Sequence, residues 1–270
     1  MKADLHNHLR TDSRMHLFNL DKVLETAEKR LGHPSIIGLV NYKDQRFEDF
    51  YKMSLSHKYK PEQLKNSIYF PLPNLTIIKG QEVPTQQGDL LVIGLERNVH
   101  LKNRRSLPDT LKEAKDKNGI TICCYENIDY LKEHPEILKE VDTIETFNGT
   151  ASLWIPGITE KNANKKAQEF YDEAKKQYSH LGRLISSDGH SLYELGQSWM
   201  EIPQINIHNG SIKLNESLRE GLRTSRENKR SKLTGIIGAI DHSIDLAYCI
   251  SLMKMGIDPN KGIVPYKLSR

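Results

Sequence analysis

Short apolar runs alternate with longer amphipathic segments along most of this chain. The runs have the length of strands, and polar turn residues follow most of them. This pattern predicts strands at residues 2–5, 35–40, 77–83, 90–95, 119–124, 143–147 and 184–187.

The segments between these runs carry apolar residues at helical spacing. One face of a predicted helix carries Leu20, Val23, Leu24, Ala27 and Leu31. Further helices are predicted at 108–117, 133–141, 161–177 and 238–255, and we expect the last to pack against the body of the protein. Alternating strands and helices predict an α/β fold, either a parallel α/β barrel or a distorted relative of one.

In such a barrel, the residues that follow the strands gather at one edge, where α/β folds keep their chemistry. The strand-end positions carry His6, His8, Tyr42, Glu82, Cys124, Asn148, Asp188 and His190. Residues i and i+2 of an extended segment point to one side, so His6 and His8 can reach one point, as can Asp188 and His190. Each pair alone also fits an ordinary surface or turn position. Together, these imidazole and carboxylate groups from both ends of the chain predict a divalent metal site.

Composition narrows the class of protein. A hydrophobic fraction of 37% and a charged fraction of 27% suit a globular protein. The chain has no apolar stretch near the ~20 residues of a membrane span, and its amino terminus lacks a signal-peptide pattern. Three Cys, with Cys123 and Cys124 adjacent, predict a reducing cytoplasm rather than a disulfide framework. Neither of these two Cys is predicted to be catalytic.

The charge pattern bears on the ligands. A net charge of +4 favours an anionic substrate but is too small to argue for nucleic acid. No glycine-rich nucleotide loop of Walker or Rossmann type occurs. We expect the basic segment 217–232 to be a solvated helix and loop, with an anion-binding patch as the alternative.

Four motifs follow one another in a distinctive order: DLHNH from Asp4, GQEVPTQQGDLLVIGL from Gly80, IETFNG from Ile144 and SSDGHSLYELG from Ser186. Their order and spacing resemble the PHP family (polymerase and histidinol phosphatase). The resemblance implies a distorted (β/α)7 TIM-like barrel over residues 1–200, with a metal cluster at the carboxyl ends of the strands. Residues 201–270 carry no family motif and are predicted to form a helical extension packed on the barrel.

The resemblance also implies metal ligands at five positions. His6 and His8 match the first metal-binding pair of the family, Glu82 matches the bridging carboxylate, and Asp188 and His190 match the closing Asp-x-His. Two imidazole nitrogens with the carboxylates of Glu82 and Asp188 make a donor set that suits Zn²⁺, Mn²⁺ or Fe²⁺.

Three imidazoles of the family pattern are missing. Tyr42 or Lys43 takes the place of one, Asp89 of another and Cys124 of the third. We expect Asp89 to be a metal ligand, whereas Cys124 either assists it or belongs to the core. A neutral Tyr42 is a poor ligand because its pKa is near 10, and Lys43 either replaces a third cation by its ammonium group or lies on the surface. The sequence therefore predicts one to two divalent ions per chain.

The resemblance, together with the retained ligand-type residues, implies a metal-dependent phosphoesterase acting on a phosphate monoester or diester of a small metabolite, nucleotide or short oligonucleotide. Arg10 and Arg14 are candidates to hold the phosphate, although both also fit surface positions. Lys43 is a candidate to neutralise phosphate charge, and His190 a candidate to protonate the leaving alkoxide.

The missing imidazoles leave a second class of function open. A catalytically reduced PHP-like barrel would act as a binding or scaffold protein, and RNA would be its natural partner. A protein subunit of ribonuclease P resembles such a barrel without a metal cluster. The five retained ligand-type residues favour the enzyme, so nucleic acid is not indicated. The oligomeric state is open.

Overall fold

The computed structural model of the protein describes residues 1–9, 20–42, 45–153, 160–230, 233–238, 240, 243–244, 247 and 254–255. The strands are β1 (Lys2–Asp4), β2 (Ser35–Asn41), β3 (Glu62–Gln63), β4 (Ser67–Phe70), β5 (Leu75–Thr85), β6 (Gly88–Ile93), β7 (Ile120–Cys123), β8 (Thr143–Asn148), β9 (Gly182–Ser186), β10 (Trp199–Glu201) and β11 (Arg226–Asn228). The helices with full bounds are α1 (Leu20–Leu31), α2 (Arg46–Ser54), α3 (Leu107–Asp116), α4 (Ile128–Glu133), α5 (Ala163–Gln177) and α6 (Ser211–Thr224). Among the residues described, no helix combines the length and apolar character needed to cross a membrane.

The strands form one mixed, nearly closed, barrel-shaped sheet. Its order is β11-β10-β1-β2-β5-β6-β7-β8-β9, with β4 paired to β5 and β3 paired to β4. A parallel bridge between Asn7 and Gly189 joins the segments that follow β1 and β9. There His8 N–H donates to the Gly189 carbonyl oxygen at 2.7 Å. The bridge brings the last parallel strand back to the first.

The strands do not all run parallel, so of the two predicted architectures, a parallel barrel and a distorted relative, the fully parallel one is wrong. Strands β1, β2 and β5 are mutually parallel, as are β7, β8 and β9. Strand β6 is antiparallel to both β5 and β7. The reason lies in the connection, because Thr85 of β5 pairs directly with Gly88 of β6. A parallel pair needs a crossover of a dozen or more residues, and Gly88 instead takes a φ of +102° in a tight turn.

Side chains along the inner strands alternate between two apolar clusters. In β2, Ile36 and Val40 face the barrel interior, whereas Ile37 and Leu39 pack outside with α1 and α2. Burial on both faces explains why the parallel strands are continuous apolar runs.

Helix α6 closes one end of the barrel. Its Leu214, Leu218 and Leu222 belong to the interior cluster. The side-chain amide of Asn215 donates to the carbonyl oxygens of Gly94 at 3.0 Å and Asn118 at 2.7 Å, at the end where the parallel strands begin. The first part of the basic segment 217–232 is therefore packed on the barrel through Leu218 and Leu222 rather than fully solvated, which corrects that part of the expectation. The residues that follow the parallel strands, including the predicted metal ligands, lie at the opposite end of the barrel.

Residues 233–238 are helical and turn small residues inward. Gly235 and Gly238 are buried, whereas Leu233, Ile236 and Ile237 are exposed. In its described part, the carboxy-terminal segment thus contacts the barrel through glycines rather than through large apolar side chains. The proposed domain boundary at residue 200 stays a prediction.

Candidate metal centre

His6 and His8 come directly after β1, where the chain stays extended. The Asn7–Gly189 bridge holds this segment on one side, and Val40 N–H donates to the Asn7 carbonyl oxygen at 2.9 Å on the other. Because the two histidines are two residues apart, their rings share one side of the segment. Their Nε2 atoms lie 3.0 Å apart, and both rings are buried.

Asp188 reaches the same point from the other end of the chain. Its φ of +47° is unusual for a residue with a side chain. Asp188 Oδ1 lies 3.6 Å from Nε2 of both His6 and His8, and it is buried without a hydrogen-bond partner among the described residues. The Asn148 amide donates to the other carboxylate oxygen at 3.1 Å, which aims Oδ1 at the imidazoles.

The spacing of these three ligand atoms fits a metal ion. The ligand atoms of His6, His8 and Asp188 all lie within 4.8 Å of one another, so the cluster can hold an ion. Two donors that each lie about 2.1 Å from one ion are about 3.0–3.4 Å apart. The observed separations of 3.0 and 3.6 Å are close to that range.

Glu82 flanks the cluster from the inner face of β5. Its Oε2 lies 3.2 Å from His8 Nε2 and its Oε1 lies 3.6 Å from His6 Nε2. Its side chain is 17% exposed and that of Asp188 is 14% exposed, whereas the two imidazoles are almost fully buried. The cluster is therefore open to solvent on its carboxylate side.

His190 stands on another side of the cluster. Its ring stacks on that of His8 with centroids 4.8 Å apart, and its Nδ1 donates to the Asp188 carbonyl oxygen at 3.0 Å. Nε2 of His190 is therefore the proton-accepting nitrogen of the neutral ring. Tyr42 packs edge-on against the His8 ring, with the two ring centroids 6.3 Å apart.

Glu145 is the main residue of this site that the sequence did not identify. Its Oε1 lies 2.9 Å from His6 Nδ1 and accepts the Ser186 hydroxyl at 2.7 Å. Because a carboxylate accepts the Nδ1 proton, the neutral form of the His6 ring has its Nε2 lone pair directed at the cluster. The only sequence signal was the IETFNG motif, in which the glutamate looks like one alternating strand residue.

Asp4 holds the loop that carries Asp188 by accepting two backbone hydrogen bonds. Its fully buried carboxylate accepts the backbone N–H of Ser187 at 3.0 Å and that of Gly196 at 2.8 Å. Burial raises the pKa of Asp4 to about 6, and these hydrogen bonds oppose the shift. The first motif is thus tied to the loop that carries Asp188.

The electrostatics of the cluster favour a cation. Burial lowers the pKa of His6, but the carboxylates of Asp188 and Glu145 outweigh it and raise that pKa well above its ordinary value. Burial likewise raises the pKa of Glu82 and Asp188, yet the neighbouring histidines hold both below their usual values. Positive charge between these groups is therefore stabilised, whether it is a proton or a metal ion.

Of the remaining predicted site residues, those that the structure describes are not part of the close group formed by His6, His8 and Asp188. Asp89 stands opposite Pro84 at the start of β6, and its backbone N–H donates to Glu126 Oε2 at 3.0 Å. It is outside the close group that the described residues form. Cys124 is buried in the interior cluster, and burial raises the pKa of its thiol well above the ordinary value, which favours the core alternative over the metal-binding one. Arg10, Arg14 and Lys43 lie outside the described residues.

Fold and site together define a mixed α/β barrel protein with a His-Asp cluster that can hold a metal ion. Comparison with protein-family models gives no match, and comparison with curated proteins gives none either. Among solved structures, the chain is similar to PsfC from Pseudomonas syringae PB-5123, with a TM-score of 0.57 and 10% sequence identity. The match covers 92% of this chain and 98% of that chain. At this identity the likeness concerns the fold alone.

Proposed function

We propose that this protein is a metal-dependent phosphoesterase of the PHP type. The observation that carries the proposal is the buried Asp188 Oδ1, which receives no hydrogen bond from the part of the chain that the structure describes and lies 3.6 Å from two imidazole nitrogens. A buried carboxylate oxygen without a partner is costly, and a bound cation removes that cost. The distorted (β/α)7 architecture belongs to the same proposal.

The donor atoms define the kind of ion. His6, His8 and Asp188 would hold it, with Glu82 within reach, and this mixture of imidazole and carboxylate suits Zn²⁺, Mn²⁺ or Fe²⁺. Such an ion supplies Lewis acidity and lowers the pKa of a bound water. Glu145 fixes the tautomer of His6, so one ligand nitrogen is oriented in advance.

His190 is the proposed general acid. Its side chain is 30% exposed, and its Nδ1 is engaged by the Asp188 carbonyl oxygen. In the doubly protonated ring, Nε2–H is the group that donates the proton that the leaving alkoxide oxygen needs. The substrate class is an anionic phosphate ester, and Arg10 and Lys43 remain the proposed phosphate-binding side chains.

Metal content and hydrolysis test this proposal together. Wild type, His8→Ala and the control His208→Ala would be purified without chelator and assayed with Mn²⁺ or Zn²⁺ on p-nitrophenyl phosphate and bis-p-nitrophenyl phosphate. His208 is half-exposed beside Glu62, away from the site. We expect wild type and His208→Ala to retain metal and turnover, and His8→Ala to lose both. A wild-type protein that binds metal but hydrolyses no ester in a broad panel would contradict the proposed activity.

A further inference from the structure

The loop that carries Asp188 and His190 is held from behind by Glu194. Glu194 Oε2 accepts the backbone N–H of His190 at 2.9 Å and the hydroxyl of Ser191 at 3.3 Å. The Glu194 side chain is buried. This carboxylate therefore fixes the backbone of His190 although it is not one of the three clustered ligands.

Arg230 lies beside Glu194 in the same buried layer. Its Nη1 is 3.6 Å from Glu194 Oε1, and its side chain is fully buried. Its backbone N–H donates to the Ser198 hydroxyl at 3.0 Å, whereas its guanidinium nitrogens make no hydrogen bond to any residue that the structure describes. A buried charge that loses its ion-pair partner is strongly destabilising, so the positions of Glu194 and Arg230 depend on each other.

The helical residues 233–238 lie directly on this pair. A Cβ added at Gly238 would stand 2.4 Å from Glu194 Cγ and 2.7 Å from its Oε1. A Cβ added at Gly235 would stand 3.5 Å from Arg230 Nε and 3.4 Å from the Leu153 side chain, which are ordinary contacts. The helix backbone at Gly238 thus lies so close to Glu194 that any side chain at this position would clash with it.

We propose that Glu194 is a positioning residue of the metal centre, and that Arg230 and the helix seated through Gly238 hold it in place. The contacts run from the helix to Glu194, from Glu194 to the N–H of His190, and from His190 to the carbonyl oxygen of Asp188. The carboxy-terminal segment thereby determines how well the cluster closes on an ion. This inference rests on the metal centre of the proposed function.

Two glycine variants on the same helix provide the test. Gly238→Ala and Gly235→Ala change backbone freedom in the same way, but only the first crowds Glu194. Affinity for Zn²⁺ and Mn²⁺ would be measured by competition with a chromophoric chelator. Loss of an outer support of a metal site weakens binding by about 10- to 100-fold, which we expect for Gly238→Ala and not for Gly235→Ala. The imidazole proton signals of His190 should shift in Gly238→Ala alone.

Glu194→Gln keeps the test decisive if Gly238→Ala does not fold. The amide retains an acceptor for the N–H of His190 but loses the ion pair with Arg230, so metal affinity should fall by about tenfold. If wild type binds metal and Gly235→Ala, Gly238→Ala and Glu194→Gln all bind it equally well, Glu194 has no positioning role. If wild type binds no metal, the proposed function itself fails.

Discussion

His6 and Glu145 form a buried imidazole–carboxylate pair, with Nδ1 and Oε1 2.9 Å apart. Glu145 is itself held by the hydroxyl of Ser186 and by the amide of Asn148, which also donates to Asp188. His6, Glu145 and Asp188 therefore belong to one network of hydrogen bonds. The protein itself, rather than a bound ion, sets the orientation of the His6 ring.

Replacing Glu145 should weaken the metal centre without removing a ligand. In Glu145→Gln, the amide no longer stabilises the proton on His6 Nδ1 by charge, and metal affinity should fall by about 10- to 100-fold. Chelator competition measures the loss. Glu140→Gln is the matched control, because Glu140 is exposed and pairs only with Lys115 among the described ion pairs. Equal affinities in the two variants would contradict the supporting role of Glu145.

Metal affinity should depend on pH well above the ordinary histidine range. Burial lowers the pKa of His6, but Asp188 and Glu145 raise it well above 6.5. A proton on the imidazole competes with the ion, so affinity falls as pH falls through this raised pKa. Titrations between pH 6 and 9 should show the fall, and Glu145→Gln should move it to lower pH. A flat profile down to pH 6.5 would argue against the raised pKa.

Asp89 and Asp188 should differ in their effect on metal content. Asp188 supplies a ligand atom of the close group, whereas Asp89 lies outside it. We expect Asp188→Ala to lose the bound ion and Asp89→Ala to keep it, as measured by elemental analysis of protein purified without chelator. Two ions in wild type, with one missing in Asp89→Ala, would instead establish a second metal that uses Asp89.

Lys79 should matter to stability rather than to activity. Its ammonium group is fully buried and bonds Glu48 Oε1 at 2.6 Å and the carbonyl oxygen of Val99 at 2.9 Å. Lys79→Met leaves the Glu48 carboxylate buried without its cation, which costs about 3–5 kcal/mol of unfolding free energy. Urea denaturation measures this. The double variant Lys79→Met/Glu48→Gln should recover part of the loss, and no recovery would mean that lost packing dominates.

Regular amphipathic patterns made much of the fold predictable. Helix α1 has the predicted bounds because five apolar residues share one face and polar residues fill the other. Helix α2 was missed because the polar residues Arg46 and Glu48 are buried beside Phe47 and Phe50, which hides the helical pattern. The antiparallel β6 was also missed, although the short turn before Gly88 already excluded a crossover.

The candidate site was predictable where two ligands share one short segment. His6 and His8 are two residues apart, so local geometry alone brings their rings together. Glu145 meets His6 only because β8 enters the same barrel, 139 positions along the chain. The Glu194–Arg230 pair likewise depends on how the loop and the chain after β11 pack. Single-sequence patterns do not encode such distant pairings.

The bridge between Asn7 and Gly189 has a consequence for how the chain assembles. His6 and His8 follow β1, the first parallel strand, and Asp188 follows β9, the last one. The metal site can therefore form only after almost the whole barrel has been synthesised and folded. Contacts this distant in sequence form slowly. An ion bound by both His6 and Asp188 would link the segment after β1 to the segment after β9. Metal binding would thus stabilise only the closed barrel, and it would slow the separation of the segments that follow β1 and β9.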